Sequence, residues 1–328
     1  MSSPAARLDR PALGIALILL ATAAISINDM LIKALSGGYP LHQMVFVRSI
    51  LGLCFTGPLL MMEGGLRALR TDRPALHLLR GFCLVISNMA FFAALAALPL
   101  AEATALFFVA PLFITLLSIP VLGEKVGPLR LGAVIVGFLG VLLMQRPWAG
   151  GEELAASRLI LALPVLAAFT YASTMVLTRR LGGDMPPAGL AIYTQGVFLV
   201  VALAFFLVAG DGRFAEGVQN ESLVFLLRAW TWPEGRDLWL FLGLGLCSGL
   251  VAYSLAAAYR AADAATIAPF EYAGLPLALF WGWTIFGSLP GPVTWAGMAL
   301  ILGSGLFVYL RERRRGREVA TRRPVRRV

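Results

Sequence analysis

The sequence is 328 residues long, with 59% hydrophobic residues, 14% charged residues and a formal net charge of +9. A soluble domain carries about 25% charged residues, so the composition excludes an ordinary water-soluble protein and predicts an all-α integral membrane protein. The positive charge follows the membrane topology described below, and we expect no nucleic-acid partner.

Ten apolar runs of about 17 to 25 residues are each long enough to cross a bilayer as a helix. In chain order they cover residues 13–33, 41–62, 76–97, 102–122, 128–145, 158–178, 188–209, 238–259, 265–286 and 293–310. The first run follows Arg7 and Arg10, as in a signal peptide, but stays apolar to Leu35, so we interpret it as a span. The three cysteines lie inside spans without metal or redox spacing, and we expect no metal and no cofactor.

The basic residues are distributed unevenly between the loops. With ten spans and the N-terminus inside, 20 of the 27 lysines and arginines fall on the cytoplasmic side, and without the nine arginines of the basic tail at 313–328 the split is still 11 inside to 6 outside. The positive-inside rule therefore predicts that both termini are cytoplasmic. We expect the tail to contact anionic lipids. The longest outer loop, 210–237, contains an apolar patch at 223–227, which predicts a short helix at the headgroup level.

The two halves of the chain follow one plan. A shift of 147 residues places Lys33 on Arg180 and Arg48 on Gln195, and a shift of 164 places 122–128 on 286–292. Each half holds five spans, an odd number, so the second half enters the membrane with the opposite orientation. The sequence thus predicts ten transmembrane helices as two inverted five-helix repeats, residues 1–150 and 151–312, which enclose a central site.

Glu271 is the most unusual residue of the predicted spans. It lies about six residues into span nine, roughly 9 Å deep at 1.5 Å per residue. A carboxylate at this depth faces a bundle interior or a wet cavity. Pro269 and Pro276 flank it and predict a kinked or locally opened helix. Glu271 either contributes to a binding site or anchors a neighbouring helix through a structural hydrogen bond.

Other polar residues within the spans also need partners. Arg48 either extends its guanidinium to the interface or holds a substrate carboxylate in the interior. Asp29 and Lys33 lie four residues apart on one helical face, spaced for an ion pair. Asn88 and Gln195 carry buried amides that need partners.

Several tyrosines offer aromatic surface for a planar or amphipathic ligand. Together with the polar residues above, they give a predicted set of substrate-binding residues: Arg48, Asn88, Gln195, Tyr253, Glu271 and Tyr272. The chain has no GxxxxGK[ST], HExxH or GxSxG motif and only two histidines. These absences disfavour ATP-driven pumping and enzymatic catalysis.

One stretch resembles a known family. Residues 89–147, with the "P-L-x-E-A" entry, the mid-span "APLF" and the "GEKVGPLRxGAxxVGFxGVLL" exit, are similar to the first repeat of the EamA-like drug/metabolite transporter superfamily. The second half resembles the matching repeat, although Ser288 stands where the first half has Glu124. The resemblance implies ten spans, two inverted repeats, a central cavity and secondary transport of small metabolites.

The hypothesis is a carrier in the bacterial inner membrane, a monomer or homodimer, for a small polar or amphipathic metabolite such as an amino acid or a vitamin like riboflavin. Glu271 is the residue expected to load and unload a proton as access alternates. A passive channel is the alternative, although it requires a continuous polar path. A membrane-embedded enzyme is a further alternative, which the missing catalytic motifs disfavour.

Overall fold

The computed structural model describes residues 11–123, 126–146, 152–181, 185–261 and 268–322, and these residues contain helices, turns and loops but no strand. The helices are α1 (Pro11–Leu35), α2 (Leu41–Met62), α3 (Pro74–Ala97), α4 (Leu100–Phe107), α5 (Ala110–Leu122), α6 (Pro128–Gln145), α7 (Glu152–Leu181), α8 (Pro187–Ala209), α9 (Glu221–Leu227), α10 (Arg236–Ala261), α11 (Gly274–Thr284) and α12 (Pro292–Arg322). Two 3-10 helices, η1 (Gly65–Leu69) and η2 (Ala268–Ala273), complete the set. The predicted all-α class is confirmed.

Eight segments of the described chain are long enough and apolar enough to cross a membrane. They are α1, α2, α3, the α4–α5 pair, α6, α7, α8 and α12. Their outer faces carry large apolar side chains such as Leu159 and Leu207, which are 74% and 79% exposed. A surface of this kind is stable against lipid, not against water. The chain is therefore a multi-pass membrane protein, and α10 and the 268–284 segment occupy the positions of predicted spans eight and nine.

Two of the predicted spans are interrupted. In the first half, α4 ends at Phe107 and α5 begins at Ala110, with Pro111 in its first turn. In the second half, the segment that holds Glu271 is the 3-10 helix η2, and α11 begins directly after it, with Pro276 as its third residue. The two interruptions lie at matching places in the two halves. Each proline is tolerated there because the first N–H groups of a helix have no partner within the helix.

The interrupted segments meet inside the bundle. The ring of Phe108, at the first interruption, stacks on the ring of Tyr272, at the second, with centroids 5.4 Å apart. A Cβ at Gly274 would lie 3.5 Å from the Phe108 ring and 3.6 Å from Thr22 of α1. Accordingly, α4 packs against α11, and α1, α7 and α12 pack around them.

Most of the long helices pack in pairs. The most extensive packing joins α1 with α10, α3 with α7, α6 with α12, and α2 with α8. A second layer of contacts joins α2 with α10, α3 with α8, and α5 with α7. The core of buried residues runs through these interfaces from Leu31 on α1 to Ile301 on α12.

One end of the bundle, which we call the loop end, is covered by residues 210–235 and the helix α9. Gln43 donates from Nε2 to the carbonyl oxygen of Thr231 (2.6 Å) and accepts from its N–H (3.3 Å). The Tyr39 hydroxyl donates to Asp237 at 2.8 Å. The short helix predicted at 223–227 is thus present as α9, and it lies over the start of α2.

Glycines bring α6 and α12 into close contact. A Cβ at Gly140 would lie 2.8 Å from the backbone oxygen of Gly297, and a Cβ at Gly297 would lie 2.9 Å from that of Gly140. Any side chain at either position would push the two backbones apart. By contrast, Gly132, two turns earlier on α6, has no atom within 4 Å of the position of a Cβ.

Gly140→Ala and Gly132→Ala therefore have opposite expected effects on stability. Gly132→Ala raises the free energy of unfolding by about 0.5 to 1 kcal/mol, because alanine favours the helix. Gly140→Ala lowers it by about 1 to 3 kcal/mol, because the backbone of α12 cannot move without repacking the interface. Thermal unfolding of the purified protein in detergent measures both. Equal effects of the two substitutions would contradict the described α6–α12 contact.

Candidate functional site

Arg48 lies in the interior of the bundle, where α2, α3 and α8 converge. Its Nη2 donates to Oδ1 of Asn88 at 2.9 Å. Its guanidinium also lies over two phenyl rings, 5.7 Å from the centroid of Phe92 and 5.4 Å from that of Phe198. Cation–π contacts and an amide acceptor compensate in part for the loss of hydration. The structure thus brings together Arg48 and Asn88, two of the predicted site residues, and does not place Arg48 at the interface.

Asp29 supplies the opposite charge. Its Oδ1 accepts from Nδ2 of Asn28 at 3.2 Å, and its carboxylate acts electrostatically on Arg48. Within the described residues the two charges do not form an ion pair by direct contact. Asp29 and Arg48 therefore each make a hydrogen bond to a different asparagine and do not occupy each other's hydrogen-bonding atoms.

Lys33 has a different role from the one that its spacing predicts. Its Nζ donates to the backbone oxygens of Leu95 and Leu98, both at 2.7 Å, and lies 5.4 Å from the ring centroid of Phe286. The expected ion pair with Asp29 is absent from the ion pairs of the residues that the structure describes. The reason is that the last carbonyls of α3 have no partner within their helix and attract a cation. Lys33 thus joins α1 to the end of α3.

Gln195 approaches the Arg48 region from α8. The side chain lies so close to Gly52 that a Cβ there would be 2.5 Å from Gln195 Nε2. Gly52 is one turn from Arg48 on the same face of α2. Glycine at position 52 therefore makes room for the amide, and Gln195 belongs to the same interior region as Arg48 and Asn88.

Glu271 and Tyr272 form a second group of polar residues at the paired interruptions. Glu271 is half-buried and acts electrostatically on the hydroxyl groups of Tyr171 and Tyr272. Tyr272 fits against α12, where a Cβ at Gly305 would lie 2.4 Å from the tyrosine hydroxyl. The structure places this group on different helices from Arg48. The side chain of Tyr253, another predicted site residue, lies outside the described part of the chain.

A row of aromatic rings connects the two groups. Phe92, beside Arg48, lies 5.4 Å from Phe91, and Phe91 lies 5.3 Å from Phe107. Phe107 in turn lies 5.4 Å from Tyr171, whose hydroxyl is in the field of Glu271. Sequence reasoning missed Phe91, Phe107 and Tyr171, because an aromatic residue in an apolar span has the same appearance whether it faces lipid or another ring.

Several buried polar atoms near Arg48 have no hydrogen-bond partner in the structure. They are Ser26 Oγ and Asn28 Oδ1 on α1 and Ser49 Oγ on α2, and each residue is at most 8% exposed. Ser26 lies one turn from Asp29 on the same face of α1. Buried polar atoms are normally satisfied by protein, water or ligand. These groups add hydrogen-bonding atoms of α1 and α2 to the polar residues of the interior, and no sequence signal would have singled them out.

No group of three or more His, Cys, Asp or Glu residues among the described residues is arranged to hold a metal ion. A cavity of about 580 Å³ lies between α3, α7, α8 and α9, and a second of about 730 Å³ is lined by residues 69–72 and Tyr193 at the end opposite the loop end. Neither is lined by Arg48, Asn88 or Glu271.

Comparison with known proteins gives consistent matches. The model of the EamA-like transporter family matches residues 12–146. Riboflavin transporters of Rhizobium johnstonii and Vibrio cholerae are 36% and 32% identical over 78% and 85% of this chain, and over 77% and 86% of their own lengths. An S-adenosylmethionine uptake transporter of Rickettsia prowazekii is 25% identical over 92% of this chain and 94% of its own. A solved crystal structure, 20% identical, superposes with a TM-score of 0.60 over 94% of this chain and 99% of that one.

The helical membrane fold and its buried polar site, together with these relatives, define a multi-pass membrane transporter of small metabolites and not an enzyme. The chain belongs to the EamA-like transporter family. The resemblance in the sequence at 89–147 is therefore confirmed.

The contact between Tyr272 and Gly305 can be tested by a double-mutant cycle. Gly305→Ala should lower the unfolding temperature, because its Cβ meets the tyrosine hydroxyl. Tyr272→Phe removes that oxygen and leaves the nearest ring atom 3.4 Å away, so the double variant should recover most of the loss. Gly303→Ala is the control, since no atom lies within 4 Å of a Cβ there. Additive effects of the two substitutions would contradict the contact.

Proposed function

We propose that this protein is an alternating-access carrier that moves a small, planar, uncharged or weakly polar metabolite of the riboflavin class across the bacterial inner membrane. The observation that carries the proposal is the Arg48 guanidinium, held by Asn88 between Phe92 and Phe198 in the membrane interior. This group offers hydrogen-bond donors beside aromatic faces. A flavin ring system has carbonyl oxygens on a planar, apolar body, and it matches both features.

The charges of the site favour this cargo over other metabolites. Among the described residues no carboxylate contacts the Arg48 guanidinium directly, so its charge and donors are available to the oxygens of a ligand. S-adenosylmethionine, the cargo that the name of the Rickettsia prowazekii relative gives, carries a sulfonium cation, and a nearby guanidinium would repel it. The riboflavin transporters are also the more similar relatives of the two groups.

An inverted repeat of ten spans is supported by the packing. The repeat would relate each span to the one five positions later: α1 to α7, α2 to α8, α3 to α10, α4–α5 to η2–α11, and α6 to α12. Under this exchange the α1–α10 pair becomes the α7–α3 pair, and the α2–α10 pair becomes the α8–α3 pair. The α2–α8, α6–α12 and α4–α11 pairs are exchanged with themselves. This is the pattern expected when residues 1–150 and 151–312 are related by a two-fold axis in the membrane plane.

The ends of the bundle support an orientation and a state for the carrier. The positive-inside rule puts both termini in the cytoplasm, so the loop end faces outward and the basic residues of 313–328 reach anionic lipids. The helix α12 continues to Arg322, so the tail begins as a helix. The loop end is closed by the Tyr39–Asp237 and Gln43–Thr231 contacts and by the Lys33 bridge. Outward opening would break these contacts.

Proton coupling through Glu271 is the remaining part of the proposal. The carboxylate sits at the paired interruptions, where a change in helix packing alters its surroundings most directly. It also acts on two tyrosines that line the same junction. A channel receives less support, because aromatic rings, not a continuous polar path, separate Glu271 from Arg48.

Substitution of Arg48 tests the site. Arg48→Gln should weaken riboflavin binding by about 10-fold or more, because it removes a charged donor from a buried site. Riboflavin uptake into proteoliposomes should fall with it. Arg213→Gln, at an exposed pair with Asp211, is the matched control and should leave both unchanged. Unchanged binding by Arg48→Gln would refute the site, and normal binding without uptake would refute the carrier function.

Substitution of Glu271 tests proton coupling. Wild-type uptake should change several-fold when a pH gradient is imposed on the vesicles, whereas uptake by Glu271→Gln, which cannot release a proton, should not respond. Glu216→Gln, at an exposed loop position, is the control and should respond as the wild type does. Wild-type uptake that is indifferent to the pH gradient would exclude coupling and leave facilitated diffusion.

A further inference from the structure

A groove on the outer surface of the bundle is separate from the transport site. It has a volume of about 580 Å³ and lies between α3, α7 and α8 beneath the helix α9. Its walls are apolar side chains, from Phe82 to Ala93 on α3, from Leu159 to Leu163 on α7, and Val201 and Phe205 on α8. Arg48, Asn88 and Glu271 are not among the residues that line the groove.

The groove has the length of one leaflet. The α3 residues from Phe82 to Ala93 extend over about 16 Å at 1.5 Å per residue. The hydrocarbon core of a bilayer is about 30 Å thick, so half of it is about 15 Å. The groove therefore runs from the level of α9 to about the middle of the membrane, as a lipid acyl chain does.

The end of the groove beneath α9 is polar. Ser222 lines it, is 4% exposed, and its Oγ has no hydrogen-bond partner in the structure. Asn220 lines it as well and caps α9 by accepting from the N–H of Leu223 at 3.2 Å. A buried hydroxyl without a partner is unfavourable, so Ser222 is suited to donate to an acceptor that the groove brings to it. The ester carbonyl of a phospholipid lies at this boundary between apolar and polar regions.

We propose that this groove binds an acyl chain of a phospholipid from the leaflet at the loop end, with Ser222 donating a hydrogen bond to its ester carbonyl. No charged side chain of the described residues lines the groove, but Glu221 precedes the lining residue Ser222 and Arg158 precedes the lining residue Leu159. Charges of both signs beside the groove match a zwitterionic headgroup such as that of phosphatidylethanolamine. The site is independent of the transported metabolite.

Occupation of the groove stabilises the covered loop end. The roof helix α9 leads directly into the segment that contacts α2, where the carbonyl oxygen of Leu226 lies 3.1 Å from Nδ1 of His42. Arg228 then donates to the backbone oxygens of Ser36 and Gly37. A lipid that supports α9 from below therefore favours the arrangement in which these contacts are made.

The test uses the full-length protein, stripped of lipid in detergent and supplied with palmitoyl-oleoyl phosphatidylethanolamine. Native mass spectrometry should show one retained lipid, and the unfolding temperature should rise by several degrees. Val201→Trp fills the groove and should weaken retention at least 5-fold. Leu207→Trp, on the same helix at a 79% exposed position outside the groove, is the matched control and should retain the lipid.

Ser222→Ala tests the polar end without risk to the fold. Since the hydroxyl has no protein partner, the variant should unfold without lipid at the wild-type temperature or above it. Its affinity for the lipid should fall about 5-fold, as expected for one lost hydrogen bond. Wild-type affinity in Ser222→Ala, equal retention by Val201→Trp, or tighter binding of phosphatidylglycerol than of phosphatidylethanolamine would each overturn the proposal.

Discussion

The packing of two interrupted helices against each other is the constraint on which the rest of this structure depends. An interruption exposes backbone N–H and C=O groups that lipid cannot satisfy, so it is tolerated only inside protein. Here the interruption after Phe107 faces the one before Gly274, and Phe108 stacks on Tyr272. The helices α1, α7 and α12 surround both interruptions. Within the described residues, the centre of the bundle is therefore a place where backbone can change conformation without exposure to lipid.

The buried charges depend on the same enclosure. Arg48 could have extended to the interface, but it is held in the interior by an amide and two phenyl rings. Such partners are weaker than a direct ion pair, so the guanidinium keeps donors for a ligand. Asp29, on α1, makes no direct ion pair with Arg48 among the described residues, so it does not occupy those donors. Lys33, which spacing alone would pair with Asp29, instead satisfies the end of α3.

Much of the fold could be predicted from the sequence, and less of the site. The apolar runs predicted helices at the correct places, and the prolines around Glu271 predicted a locally altered helix there, whereas the break before Pro111 was not predicted. Arg48 and Asn88 were both expected in the site because polar residues are rare in spans, yet their contact joins residues 40 positions apart. Phe91, Phe107 and Tyr171 were missed, since hydropathy does not distinguish a ring that faces lipid from one that faces another ring.

The sequence by itself determined that this chain lies in a membrane, where its spans run and which family it belongs to. These properties depend on hydropathy, which is a sum over neighbouring residues, and on local motifs such as those of 89–147. Only the tertiary structure decided which polar groups meet, that Lys33 caps α3, and that an unpaired Ser222 lies at the end of an apolar groove. Such contacts join different helices, and their geometry depends on how close the backbones approach, as the paired glycines of α6 and α12 show.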